Sequence, residues 1–189
     1  IGVYSNINPS SSLYTKVTGY AESGGNQTDY SSETYSTELK DGVRSYTVTS
    51  ESFYDKLGYM YAFMPTSWAN RDISSVGEDG YLKFKVKSPH SMNFLIALRD
   101  SQTKYAYAVV STTDSTDWQD IIVPVKSLKY NKGVNDFTKI VQVRVYPVAT
   151  SLANDGANTP AGITGTGAEN LFLKVNETVS FGGMEVYKK

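Results

Sequence analysis

The sequence contains no cysteine. That excludes disulfides and thiolate metal sites, and it is compatible with a secreted bacterial protein or a cytosolic one. The one histidine, His90, sits in the turn-like run Ser88-Pro89-His90-Ser91, which gives a His-based triad or a zinc site little support. No stretch approaches the ~20 consecutive apolar residues of a membrane-spanning helix. Excess charge of one sign is also missing: 18 Lys plus Arg face 19 Asp plus Glu, a net charge of −1. A near-neutral surface argues against nucleic acid and against electrostatic membrane binding. There is no phosphate-cradling glycine loop, and no strand-like run has the Glu-x-Asp-x-Glu spacing that sets acids on one face of a strand for glycoside hydrolysis. A signal peptide is absent too, and the chain starts abruptly at Ile1, so it reads as a mature or excised piece.

What is abundant is tyrosine, 15 residues in a chain of 189. With the many Ser, Thr, Asn and Gly, that composition suits an extracellular binding surface more than a metabolic enzyme. The length suggests one domain with a full core. Residues 1–12 read as a polar lead-in or linker remnant, and 13–189 as the domain.

Alternation of apolar and polar residues is the dominant pattern. In Tyr81–Lys87, Leu82, Phe84 and Val86 oppose three lysines; in Asn93–Arg99, Phe94, Ile96 and Leu98 oppose Asn93, Leu95, Ala97 and Arg99. Lys104–Val110 follows. In Trp118–Leu128, Ile121, Val123 and Val125 share a face, and Pro124, which lacks an N–H for the ladder, predicts an edge strand or a bulge. Ile140–Tyr146 sets Val141, Val143 and Val145 against Gln142, Arg144 and Tyr146. Further strands are expected at Leu13–Glu22, Gly42–Ser50, Tyr59–Met64, Leu171–Val175 and Phe181–Tyr187, with loops at 26–37 and 150–169. About nine or ten short strands and no convincing amphipathic helix mean an all-β sandwich or barrel.

Three pieces of this grammar, Gly80 to Ser88, Phe94 to Asp100, and Asp117-Trp118 through Pro124 to Leu128, come in the order found in one group of sugar-binding domains. With Asn70 to Ser74 before them and Phe181-Gly182-Gly183-Met184-Glu185-Val186-Tyr187 at the end, the chain resembles β-jelly-roll, galactose-binding-like carbohydrate-binding modules, closest in type to families 11 and 30. The resemblance implies a β-sandwich jelly roll of two antiparallel sheets that is not catalytic. It also implies a β-linked polysaccharide (a β-glucan or related plant or microbial glycan) on the concave face of one sheet, and attachment to a secreted polysaccharide-degrading enzyme or a cell-surface assembly. It makes Trp118 structural, a core residue. It further implies a structural Ca²⁺ held by an acid in the first strand and one in the last. Glu22 and Glu185 match those positions, although Glu185 stands where Asp is usual; Asp29 or Glu33 could add oxygens. The alternative is that both are solvated surface acids.

Parity points to the sugar face independently. Arg99, Gln142, Arg144 and Tyr146 lie opposite the apolar strand faces, where planar amides and guanidinia can pair with vicinal sugar hydroxyls and tyrosine can cover a pyranose ring. Tyr59, Tyr61, Trp68, Tyr105 and Tyr107 are the nearby aromatics. Tyr105 and Tyr107 share one face, Ala106, Ala108 and Val110 the other, and the sequence leaves open which is core. Two other functions remain in play: a jelly-roll lyase or hydrolase, with carboxylates opposed across the cleft, and a structural or adhesion domain without a glycan site.

Overall fold

The computed structural model describes residues 12–17, 35–50, 61–63, 72–131, 136–147, 173–183 and 185–189. These residues form two antiparallel sheets, and the chain is a β-sandwich jelly roll with no α-helix among the described residues.

The larger sheet has seven strands: β1 (Thr15–Val17), β2 (Tyr35–Lys40), β3 (Val43–Val48), β5 (Tyr81–Lys87), β8 (Gln119–Pro124), β11 (Thr178–Phe181) and β12 (Glu185–Lys188). Their order is β1-β12-β5-β11-β3-β2, with β8 on the other side of β5. The smaller sheet runs β4 (Tyr61–Phe63), β10 (Ile140–Pro147), β6 (Asn93–Asp100), β7 (Tyr105–Ser111), β9 (Lys129–Asn131). Among the described strands β8 pairs only with β5, and it ends at Pro124, the edge position that the missing N–H demands.

The core lies between the sheets. Leu82, Phe84 and Val86 of β5, Ile121 and Val123 of β8, and Val179 and Phe181 of β11 meet Phe94, Ile96 and Leu98 of β6, Ala106, Ala108 and Val110 of β7, and Val143 and Val145 of β10. Each fully buried Leu, Phe or Val contributes about 1.5–3 kcal/mol relative to exposure. Lys83, Lys85 and Lys87 point to the far side of β5 and leave the alternation intact.

Several expectations need correction. Residues 35–40, the first three of which were expected in the 26–37 loop, form β2, which turns into β3 through Asp41-Gly42. Both turn residues have positive φ, 51° and 78°, the conformation of a two-residue hairpin turn that favours Asp-Gly. The closing strand is split. The chain leaves β11 at Gly182, whose N–H bonds the Lys85 carbonyl at 2.8 Å, and a Cβ there would stand 3.1 Å from the Lys85 Cβ. Leu173–Val175 leads into a turn in which Asn176 has a φ of 71°, so it is not a strand. A bulge between Ile140 and Gln142 turns Ile140, not Val141, into the core with Val143 and Val145.

Trp118 is the largest departure. It was expected in the core and is 42% exposed. The inward positions of β8 are Ile121 and Val123, and Trp118, just before the strand, has the opposite parity to these.

Candidate glycan-binding face

The outward face of the five-stranded sheet carries the residues selected by parity. The ladder places Tyr107 opposite Ala97 and Ala97 opposite Arg144; in the next row Tyr105 stands opposite Arg99 and Arg99 opposite Gln142. Tyr146 pairs with Leu95, which puts it on the same parity. The register therefore gives Arg99, Tyr105, Tyr107, Gln142, Arg144 and Tyr146 one parity, while the side chains of Gln142 and Tyr146 lie outside what the structure describes. Tyr61 pairs with Val145, a core position, while Ala62 pairs with Arg144; the register gives Tyr61 the core's parity and not Arg144's. Tyr59 and Trp68 lie outside the described residues, as do the 150–169 loop, Glu22, Asp29 and Glu33.

The face has a buried floor and a reachable upper layer. Leu95, Ala97, Tyr105 and Tyr107 form a second apolar cluster, with Val109 packed against it. Tyr105 and Tyr107 are thus the non-core face of β7, which settles the choice left open by the sequence. They are only 1% and 6% exposed, so they are not the free stacking platforms expected of them. Both faces of β6 and β7 carry buried apolar or aromatic side chains at their centres, with Asn93, Arg99, Val109 and Ser111 only partly buried. Burial also raises the Tyr107 pKa above that of an ordinary phenol.

The two arginines remain half-buried. Arg144 donates from Nη1 to the Tyr105 hydroxyl at 3.1 Å, and its guanidinium carbon lies 5.7 Å from the centre of the Tyr105 ring, within cation–π range. Arg99 donates from Nη2 to the Thr103 hydroxyl at 3.0 Å, and its Nε is buried without a hydrogen-bond partner among the described residues. At the far end of β6 the Ser111 hydroxyl donates to the Asn93 side-chain oxygen at 2.6 Å.

Two residues that sequence reasoning missed hold this arrangement. Thr103, in the β6–β7 hairpin, has a φ of 62°, costly for a β-branched residue. Asp100 is fully buried; one carboxylate oxygen accepts the N–H groups of Gln102 and Lys104, and the other that of Asp136, each at 2.9 Å. The signal was present: an Asp followed by a polar run between two strands is the signature of a side-chain-closed turn.

Glu185 lies on the other sheet. Its carboxylate is 3.4 Å from the Lys16 ammonium and 3.9 Å from that of Lys83, and it accepts the Tyr187 hydroxyl at 2.8 Å. Burial alone would raise its pKa, but the Tyr187 hydrogen bond and the two lysines hold it below the ordinary glutamate value. Of the oxygens expected around a Ca²⁺, only those of Glu185 lie among the described residues, and there they are engaged by two ammonium groups and a phenol hydroxyl. Among the described residues no cluster of three or more His, Asp or Glu could hold a metal.

The family description "Carbohydrate binding domain 30" matches residues 10–160, most of the chain. The chain belongs to carbohydrate-binding domain family 30. Among solved structures, a family 30 carbohydrate-binding module is 19% identical, with 93% of this chain and 95% of that one covered and a TM-score of 0.49. The family 30 module of the cellulosomal cellulase Cel9D-Cel44B of Clostridium thermocellum is 16% identical, with 94% and 98% covered and a TM-score of 0.48. PfGH50B has a TM-score of 0.52 at 12% identity; 93% of this chain aligns to 22% of that much longer one, a likeness of fold. No curated protein matches. Membership of family 30 makes the chain a carbohydrate-binding module.

Proposed function

We propose that this family 30 module binds a β-linked polysaccharide on the outward face of the five-stranded sheet, without cleaving it. It thereby brings an appended enzyme or surface assembly to that glycan outside the cell. The observation that carries this reading is the pair of arginines. Arg99 and Arg144 are both half-buried and both tethered by a neighbouring hydroxyl, on a face floored by Tyr105 and Tyr107. Guanidinium groups held in place can donate several hydrogen bonds to adjacent hydroxyls of a neutral sugar. The one acid of β6, β7 and β10 is Asp100, and its carboxylate is taken up by three backbone N–H groups, so it supports the hairpin and does no acid–base work.

Total affinity should be modest, on the order of 4–8 kcal/mol for millimolar to micromolar binding. The test is Arg144→Ala in affinity gels and calorimetry with mixed-linkage β-glucan and xyloglucan. Binding should weaken several-fold or disappear while the circular dichroism spectrum and Tm stay close to the parent's. A variant that binds both glycans as the parent does removes this face as the site. Release of reducing ends or unsaturated sugars by pure protein would favour the hydrolase or lyase reading.

A further inference from the structure

The outward face of the seven-stranded sheet carries a cavity of about 330 Å³ that the face just described does not use. Its walls are Lys87, Ser88 and Pro89 at the end of β5, Thr116 in the loop before β8, and Thr178 and Ser180 of β11. That volume lies at the lower end of small-molecule sites, about 300–1,000 Å³.

The chemistry of the walls is specific. Lys87 is the only charged residue among them, and it has no ion-pair partner among the described residues, whereas Lys83 on the same strand is held by Asp120 at 3.6 Å and by Glu185 at 3.9 Å. The acids in the neighbouring turns are engaged elsewhere or point into solvent. Glu177 pairs with His90 at 3.0 Å, Asp114 accepts the Ser91 N–H at 3.4 Å, and Asp117 is exposed. The hydroxyls of Ser180 and Thr178 are fixed by cross-strand bonds of 2.7 Å to Ser45 and Thr47, and each keeps bonding capacity for a ligand. Gln119–Val86 is the last pair of the β8–β5 ladder, so Trp118, just before β8, and Lys87, at the end of β5, both follow that pair at the cavity's end of the sheet. Trp118 is not one of the walls, but it is exposed at this end.

We propose that this cavity is a second saccharide site, on the opposite side of the sandwich from Arg99 and Arg144, and that it takes an acidic sugar unit. The uronate carboxylate meets the Lys87 ammonium, ring hydroxyls meet Thr116, Thr178 and Ser180, and the apolar face of the ring lies on Trp118. An unpaired cation, fixed hydroxyls and a flat apolar surface together match a sugar acid better than a neutral sugar, which leaves the lysine unanswered, or a simple anion, which leaves the indole unused.

The experiment titrates the whole chain with trigalacturonate, cellotriose and sodium acetate and follows tryptophan fluorescence, with Trp118→Phe as the blank. Trigalacturonate should bind on the order of 1 mM and produce a signal that the blank lacks. Lys87→Gln should weaken it by about fivefold, the share of an exposed ion pair, at unchanged Tm, and added salt should weaken it further. Cellotriose and acetate should give no Trp118 signal. Arg144→Ala should leave the trigalacturonate response intact, so failure of one site is distinguishable from failure of the other. The proposal is overturned by the absence of a Trp118 response to trigalacturonate, by an equal response in Lys87→Gln, by an equal response to cellotriose or acetate, or by joint loss with Arg144→Ala.

Discussion

Asp100 offers the sharpest test of how the arginine face is held. Its carboxylate is 0% exposed and closes the β6–β7 hairpin by accepting the Gln102 and Lys104 N–H groups on one oxygen, while the other ties in Asp136 from the segment that leads to β10. A hydrogen bond to a charged group contributes about 1.5–3 kcal/mol, and a buried donor left unpaired costs about 1–3 kcal/mol. Asp100→Ala removes both acceptor oxygens and with them all three bonds. Turn N–H groups recover part of the loss through water, so the expected cost is about 3–4 kcal/mol, below the sum of three bonds. Asp100→Asn keeps one oxygen for Gln102 and Lys104 but turns an NH₂ toward the Asp136 N–H; about 2 kcal/mol is expected. At roughly 2–4 °C per kcal/mol for a chain of this size, Ala should lower Tm by about 10 °C and Asn by about half as much. Urea melts with a constant m-value, checked by calorimetry, would measure both. Equal costs for the two variants, or less than about 1 kcal/mol for Ala, would refute the assignment of three working bonds to this carboxylate. Glycan affinity should fall with stability, because the same hairpin fixes Arg99 through Thr103.

The remaining expectations are smaller. Tyr81 is fully buried with no partner for its hydroxyl among the described residues, so Tyr81→Phe should raise stability by about 1 kcal/mol in urea melts. Burial first, then the charges of Tyr187, Tyr14 and Glu185, push the Tyr81 pKa up to about 12; its contribution is whole below the ordinary tyrosine value of 10.0 and lost as pH climbs toward 12, and Phe should flatten that alkaline decline. Glu185, whose pKa is depressed in the fold, contributes fully above the ordinary value of 4.5 and loses that contribution as pH falls through its lower folded value. Glu185→Gln should therefore lower Tm at pH 7 and narrow its gap to the parent in acid. Tyr105→Phe should keep the fold and weaken β-glucan binding by freeing Arg144, with calorimetry showing a less favourable entropy.

The sheets were legible where alternation is chemically clean. Leu82, Phe84 and Val86 against three lysines fixed both the limits and the facing of β5, and Pro124 placed β8 at an edge. Strand β2 escaped because its exposed positions, Ser36, Glu38 and Lys40, resemble loop chemistry; the Asp41-Gly42 turn was the better signal. Trp118 was misplaced by likeness to a family position, although the parity of its own strand already sent it outward. The arginine face was found by parity as well, but the burial of Tyr105 and Tyr107 was not, since a strand with two apolar faces cannot announce which is covered, or whether both are.

That second buried layer changes what the face is suited to do. An exposed arginine gives up about 2 kcal/mol of rotamer freedom when a ligand fixes it. Here the fold has already met part of that cost: Tyr105, locked between Leu95, Ala97 and Tyr107, offers Arg144 a hydroxyl and a ring, and Thr103 accepts one strained backbone angle to hold Arg99. For a module with the modest affinity expected here, on the order of 4–8 kcal/mol, such ordering can decide whether a sugar is held at all. With the glycan on this face, as proposed, tyrosines beneath the arginines and not beside them as open platforms would make hydrogen-bond geometry the main source of selectivity, because directed donors discriminate among hydroxyl configurations where a flat ring does not.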